Sequence, residues 1–418
     1  MLSEKDIEFI IGNRNADTSK LLLGASKYPE VNVKLCVNCI ESRQKIASKL
    51  PMWYANPELA YPFPLSAEQC SSEATGEYKR QIAFQLLQRL HTGCSNLEEA
   101  HLNGADLTGG MGVDTYYLSQ LFGSFHYFER NSELCMATRY NFQKLGAEKI
   151  ELHNLEINGN NISQLPGAPF DFIFIDPARR SRSDKSSKVI SLQEYEPNII
   201  ELKEELFKIA PAVLVKVSPM ADIKLNLSLL PQTSQIHIVS VDNECKELLF
   251  VLQSGSMQSY GSVEITAVNL SSKGRESQFF RYTLEDEEYA RPVFASKTGK
   301  YLYEPNKSLL KGGAFKLPCS RFRVTKLATS THLYTSDDPV MEFPGKIFEI
   351  QEVVEFNKKN MKKLASEYPH ADISARNFPL DTNALKKMSG IKDGGERHLF
   401  ATVLNNGEKV VIIASIKR

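Results

Sequence analysis

One stretch of the chain admits few folds: Asp106-Leu107-Thr108-Gly109-Gly110-Met111-Gly112-Val113-Asp114. An apolar-leaning run, His101 to Ala105, precedes it, and a helix-like run, Thr115 to Phe122, follows. Strand, glycine turn and helix in that order make a sharp bend above the carboxyl end of a strand. Glycine has no Cβ, so three of them let the backbone turn tightly and let a ligand come close. The helix beyond offers free N–H groups and a partial positive charge. A dinucleotide site asks for Gly-x-Gly-x-x-Gly. Gly110 and Gly112 supply the first two glycines, but Thr115 stands at the third position, which weakens a pyrophosphate reading.

The pattern around the turn sets the fold class. Strand-like runs cover Leu102 to Asp106, Phe125 to Glu129, Ile150 to His153, Phe170 to Ile175, Ala212 to Val217, Ile236 to Val241 and Leu248 to Leu252. Helical runs separate the first five. This predicts a doubly wound α/β sheet, whose ligands sit outside the carboxyl ends of the strands. The last two strands are joined only by Asp242 to Glu247, too short for a helical crossover, so they form an antiparallel hairpin.

Chemistry-bearing residues fall at the strand ends. Glu129 ends the second strand 23 residues after Asp106, where an acid binds a ribose diol in nucleotide-binding sheets. That supports a nucleoside ligand without choosing which. The third strand runs into Asn154-Leu155-Glu156. The fourth ends in Asp176-Pro177, and proline stops the strand, placing Asp176 at the mouth. Arg179, Arg180, Arg182, Lys185 and Lys188 then make a loop suited to phosphate contacts.

An aspartate ending a strand, with glycines four and six residues later, resembles the first motif of class I S-adenosylmethionine-dependent methyltransferases. The resemblance implies a seven-stranded doubly wound sheet, and the closing hairpin separates that sheet from a nicotinamide-binding one. It implies a cofactor site at Asp106, Thr108, Gly109, Gly110, Gly112 and Asp114. Glu129 would take the ribose hydroxyls, and Glu156 would lie near the adenine amine. Asp176-Pro177 resembles the fourth motif of nucleic-acid methyltransferases, usually Asp-Pro-Pro followed by an aromatic or by Arg. Here the second Pro is Ala178 and no aromatic follows, which puts amine methylation by that geometry in doubt. The implied catalytic set is Asp176, Pro177 and Arg179, with Arg180, Glu73, Lys79, Ser218 and Arg376 toward substrate. RNA enzymes that methylate a pyrimidine carbon place a nucleophilic Cys near Ser218. A thiolate is needed for that attack, so direct, non-covalent transfer is expected.

The flanking regions complete the plan. Residues 1–95 look helical, with Asp17-Thr18-Ser19 capping a second helix and Asn56 to Leu65 an extended loop rich in proline. Gln69 to Lys79 is dense in polar side chains, and Ser71 or Ser72 can cap a helix there. The cofactor domain is expected over 96–255 and a connecting ferredoxin-like region over 256–344, in which Thr331 to Ser336 reads as a turn. Over 345–418 the order is strand, helix, strand, helix and a hairpin through Asn405-Asn406-Gly407. With Arg376-Asn377-Phe378-Pro379 and Lys392-Asp393-Gly394-Gly395, this α+β module resembles a THUMP-like domain of bacterial class I methyltransferases. Related modules bind RNA, often tRNA.

Charge and cysteine content bound the setting. Lys plus Arg equals Asp plus Glu, at 50 each. Residues 301–418 hold 19 basic against 13 acidic residues, an excess of six, compatible with a polyanionic substrate. Seven scattered cysteines and no signal-peptide or membrane-span pattern predict a cytoplasmic protein with reduced thiols. Cys36 and Cys39 lack a second pair, so no metal is implied. The expected activity is methyl transfer from S-adenosylmethionine to RNA. A non-catalytic RNA-binding protein of the same fold, a methyltransferase acting on protein or a small molecule, and a nicotinamide oxidoreductase are the rivals.

Overall fold

The structure, a computed structural model, describes residues 1–91, 101–179, 192–256, 259–272 and 276–417. The chain forms two compact units. The first holds Met1–Val241, Lys246–Tyr260 and Leu270–Arg275, and the second holds Asp242–Cys245, Gly261–Asn269 and Glu276–Arg418.

The first unit begins with α1 (Glu4–Gly12), α2 (Thr18–Leu23), α3 (Val33–Ile46), α4 (Pro51–Ala55), α5 (Pro64–Gln69) and α6 (Glu73–Leu90). Four of the six start on a side-chain cap. The side chains of Ser3, Asp17, Asn32 and Ser72 accept from the first-turn amides of α1, α2, α3 and α6. Pro51 and Pro64 open α4 and α5. The expected extended loop therefore ends earlier than Leu65, because proline is pre-set for the first helical position and loses no bond there. Ile10, Val37, Cys39 and Trp53 pack into one core with Met111, Val113 and Tyr127 of the glycine-turn region. Cys36 and Cys39 are buried, and burial pushes the Cys39 thiol up to about 11. They are packing residues.

The sheet follows: β1 (Asn103–Asp106), α7 (Val113–Ser119), β2 (Ser124–Phe128), α8 (Ser132–Lys144), β3 (Ile150–His153), β4 (Phe172–Ile175), β5 (Ala178–Arg179), β6 (Tyr195–Glu196), α9 (Ile199–Ile209), β7 (Ala212–Val217), α10 (Ile223–Leu229), β8 (Thr233–Val241) and β9 (Glu244–Gln253). Within this unit the strand order is β8-β9-β7-β4-β1-β2-β3. The strands β3, β2, β1, β4 and β7 run parallel, and β9 runs antiparallel to β7. Asp242 and Asn243, at φ 48° and 64°, connect β8 to β9. A two-residue turn can only join antiparallel strands. The class I methyltransferase fold is therefore present, with its order reversing at β1. A ligand of such a sheet binds at that switch point.

One expectation fails. Between β3 and β4 the chain makes a short 3-10 turn, Ile162–Gln164, and no α-helix. Asn158, Gly159, Asn160, Asn161, Pro166 and Gly167 crowd this stretch, and such residues favour turns over helix.

The second unit starts with the antiparallel pair β10 (Glu264–Leu270) and β11 (Gln278–Thr283), then α11 (Leu284–Tyr289). It continues as β12 (Tyr301–Pro305), α12 (Lys307–Gly312), α13 (Leu317–Phe322), β13 (Thr325–Ala328), β14 (Thr331–Ser336), β15 (Gly345–Glu355), α14 (Lys358–Glu367), β16 (Asp372–Arg376), α15 (Thr382–Ser389), β17 (Arg397–Val403) and β18 (Lys409–Ile416). A seven-stranded sheet runs β13-β14-β12-β15-β18-β17-β16. Its pairs are antiparallel except β16 with β17. Thr331 to Ser336 is strand β14 and not the expected turn. It lies between β12 and β13, and Thr331, Leu333, Tyr334 and Thr335 are buried, as suits β-branched and aromatic residues. Among the described residues no helix is long and apolar enough to cross a membrane.

Candidate functional site

A pocket of about 890 Å³ opens over the carboxyl ends of β1, β2, β4 and β7. The glycine turn forms one wall. The Gly109 amide donates to the Phe128 carbonyl at 2.8 Å. A Cβ on Gly109 would lie 2.0 Å from the Tyr127 ring, so only glycine fits. Gly110 and Gly112 take left-handed φ of 56° and 81°, which side chains resist. The Gly110 carbonyl accepts from Tyr127 Oη at 2.6 Å and from Thr138 Oγ1 at 3.2 Å. The turn is thus locked from behind.

Asp106 sits under this turn, 1% exposed. Its Oδ2 accepts from the Thr115 hydroxyl at 2.6 Å and its Oδ1 from the Thr108 amide at 3.0 Å. Thr115, the residue that spoils the dinucleotide pattern, thus serves the aspartate. Burial outweighs these bonds and pushes the Asp106 carboxyl up to about 7. Its oxygens are committed to the turn, so it shapes the cradle from beneath.

Glu129 follows β2. Its Oε2 accepts from the Gly110 amide at 3.0 Å and its Oε1 from the Asn131 amide at 2.7 Å. Each carboxylate oxygen has a second lone pair, so the group is held in place with acceptor capacity left over. Glu156 also lines the pocket, and Arg130 Nη1 reaches it at 3.4 Å.

The other wall comes from β4 and β7. Pro177 is buried behind Asp176 at the pocket edge. The Asp176 amide donates to Thr108 Oγ1 at 2.6 Å, which ties the two motifs together directly. Lys216 Nζ donates to Asp176 Oδ2 at 2.5 Å. Among the described residues no donor reaches Asp176 Oδ1. Burial opposes the charge on Lys216, but Asp176, Asp114 and Glu247 outweigh it and raise its hold on the proton. Ser218 lines the pocket, its Oγ accepting from the Met220 amide at 3.3 Å.

Beneath the pocket lies a buried charge cluster. Lys79, fully buried on α6, donates to Asp114 Oδ1 and Ser71 Oγ at 2.9 and 3.0 Å, and lies 2.9 Å from Glu247 Oε1. Ser71 Oγ donates to Asp114 Oδ2 at 2.7 Å. Burial would raise the Asp114 carboxyl, but Lys79 and Lys216 outweigh it and hold it low. For Glu247 burial wins, and its carboxyl is raised. The two share one ammonium, and Asp114 has the additional hydroxyl.

The pocket therefore gathers Asp106, Thr108, Gly109, Gly110, Asp114, Glu129, Glu156, Asp176, Pro177 and Ser218 from the expected set, and Gly112 supports the turn beside it. Others lie elsewhere. Lys79 is sealed under the floor and touches no substrate space. Glu73 Oε1 accepts from the Met52 amide at 2.6 Å, capping α4 instead of facing the pocket. Arg376 belongs to the second unit, where it pairs with Glu304 at 2.5 Å. Arg179 is placed by its backbone, opposite Tyr195 in the β5–β6 pair. Arg180, with Arg182, Lys185 and Lys188, falls outside the described residues. Lys216 and Glu247 were missed. Their signal was a charge inside or beside an otherwise apolar strand, as in Ala-Val-Leu-Val-Lys-Val.

Over its full length the chain is 31% identical to a Porphyromonas gingivalis W83 protein of known crystal structure, provisionally described as a methyltransferase. The alignment covers 100% of both chains, with a TM-score of 0.83. The chain belongs to that family. Residues 301–344 match a ferredoxin-like domain family and residues 345–415 a THUMP domain-like family. The family thus joins a class I methyltransferase fold to these two C-terminal domains. An rRNA methylase from Streptococcus thermophilus overlaps 38% of this chain and 92% of its own, at 16% identity and TM-score 0.28. TrmK of M. capricolum, solved with S-adenosyl-homocysteine, overlaps 39% of this chain and 70% of its own, at 13% identity and TM-score 0.29. Likeness that low bears on nothing below. No curated protein matches the chain.

Proposed function

We propose that this protein is an S-adenosylmethionine-dependent methyltransferase acting on RNA by direct, non-covalent transfer. The observation that carries the reading is the placement of Asp176. It stands in one pocket with the glycine turn and Glu129, with Lys216 on one oxygen and, among the described residues, no donor on the other.

The residues present fit the donor. The left-handed Gly110 and Gly112 and the Cβ-free Gly109 leave a cradle for its methionine part. Glu129, pinned by two backbone amides, would accept hydrogen bonds from the ribose hydroxyls. Glu156, also lining the pocket, would lie near the adenine amine. When bound, the donor supplies a sulfonium-activated methyl group that transfers by direct displacement.

Such a displacement needs alignment more than strong acid–base help. Asp176 supplies the alignment: its Oδ1 would accept from an acceptor N–H or O–H, while Lys216 fixes the carboxylate. The Thr108 hydroxyl sets the height of Asp176 against the turn. Ser218 replaces the thiol a covalent route would need. The RNA assignment draws on the THUMP-like match over residues 345–415 and on the basic excess of residues 301–418.

Calorimetric titration with S-adenosylmethionine and, separately, NAD tests the cofactor. Binding of the first alone is expected, and binding of NAD alone would refute the reading. Transfer of labelled methyl to RNA pools is the second step. Asp176→Ala should abolish transfer and leave donor binding intact. Donor and RNA binding without transfer by the wild type would favour the non-catalytic reading. Labelling of protein or small molecules alone would correct the substrate class.

A further inference from the structure

Strands β2 and β3 place three ligating side chains on one face of the sheet, none of them among the residues lining the pocket. In their parallel register His126 stands beside Glu151, and Phe128 beside His153. Alternation along each strand then brings residues 126, 151 and 153 to the same side. His126 Nδ1 lies 3.1 Å from His153 Nε2 and 3.7 Å from Glu151 Oε2. The three ligating atoms all fall within 4.8 Å of one another.

The surroundings are shaped for the two rings. His126 is 5% exposed. Its Nε2 lies 3.4 Å from Ser124 Oγ, so a proton on Nε2 leaves the Nδ1 lone pair aimed at His153. Phe128 stacks on His153 with centroids 4.7 Å apart, which fixes the second ring. Gly167 passes over His126 at φ 86°, and a Cβ there would lie 2.3 Å from the imidazole. The loop is pared back to seat the ring.

We propose that His126, His153 and Glu151 form a binding site for a divalent transition cation of the zinc type. Nitrogens 3.1 Å apart and bonds of about 2.0–2.1 Å give an angle at the ion of roughly 100°, within a distorted tetrahedron. Glu151 is 63% exposed on its side chain and closes onto the ion by a change of rotamer. Water completes the shell. Imidazole with carboxylate selects zinc, nickel or copper over magnesium or calcium. The ion clips β3, at the end of the strand order, to β2. Since β3 leads into Leu155, Glu156 and Ile157 of the pocket, the clip steadies that wall. The same three residues without an ion would be a histidine–histidine hydrogen bond beside a surface glutamate, and the two states respond differently to added metal.

The test uses the full chain, stripped of metal with a chelator. Zn²⁺ is titrated calorimetrically, Co²⁺ by absorbance, and melting is followed with each. One equivalent is expected to bind and raise the melting temperature. His153→Gln should weaken Zn²⁺ binding by about 100-fold, and Glu151→Gln, at an exposed position that keeps the fold intact, by about tenfold. Absence of binding by the wild type at about 100 μM Zn²⁺, too weak to stabilise the fold, would overturn the site. Binding undiminished in both variants would overturn it too. A thiolate-to-cobalt charge-transfer band would do the same, because it would assign the ion to cysteines.

Discussion

On the wall made by the glycine turn, the chain satisfies itself. Gly109, Gly110 and Asp106 each bond to Phe128, Glu129, Tyr127, Thr108 or Thr115, and a ligand meets spare lone pairs and open space. On the wall made by β4 and β7, charges face one another instead. Lys216 holds Asp176, and behind them Lys79 stands between Asp114 and Glu247. The first wall holds a fixed shape through hydrogen bonds within the chain, including those to the buried Asp106. The second stores buried charge, which is costly unless paired, and among the described residues leaves one carboxylate oxygen without a donor. A rigid cradle beside a polar edge is the division of labour that binding followed by alignment requires.

Four changes test that contrast. Lys79→Met removes the cation and leaves two carboxylates unpaired, so stability should fall by about 3–5 kcal/mol in denaturant titration. A loss near zero would mean the cluster is not charged as described. Asp106 offers the second. Its carboxyl is raised from 3.8 to about 7 in the folded protein. Below pH 4 both states hold the proton and nothing is lost. Between pH 4 and 7 the unfolded chain releases it while the folded chain keeps it. Stability should therefore fall as pH rises through that window, by something on the order of 4 kcal/mol, and then level off. Asp106→Asn should flatten the profile, and an unchanged slope would place the titration elsewhere.

The third change touches the transfer edge. Asp176→Asn should slow transfer about 100-fold, near 2.7 kcal/mol, with donor affinity held within about twofold. Equal losses in both would merge the two walls into one. The smallest effect belongs to the cradle: Glu129→Gln should weaken donor binding about tenfold, near 1.4 kcal/mol, and change the rate at saturation little. Calorimetry and saturating-donor kinetics separate these outcomes.

Much of this arrangement was legible in the sequence. The apolar runs of β4 and β7 and the Asp-x-x-Gly-Gly-x-Gly turn are local signals, so both motifs and the sheet could be read from letters alone. Strands β7 and β16 start and end where the pattern changes. No helix forms before β4 because Asn158 to Asn161 and Pro166-Gly167 favour turns. Strand β14 was misread because its hydroxyl residues look polar but are buried by pairing on both sides. The charge cluster was beyond reach for a different reason. Lys216 and Asp176 lie 40 positions apart, and only the fold makes them neighbours. The polar stretch Gln69 to Lys79 marks Lys79 as ligand-facing, yet Ser71 from that stretch, with the distant Asp114 and Glu247, closes around it. His126 and His153 show the same blindness, since strand register alone unites them.

The order in which the cluster is assembled follows from its place along the chain. Synthesis releases the N-terminus first, so Lys79 and then Asp114 leave the ribosome long before Glu247. A nascent chain can satisfy the ammonium with one carboxylate while the rest of the sheet is still being made. Glu247 arrives last, on β9, as a second carboxylate for a cation already matched, and burial raises its hold on a proton while Lys79 opposes that shift.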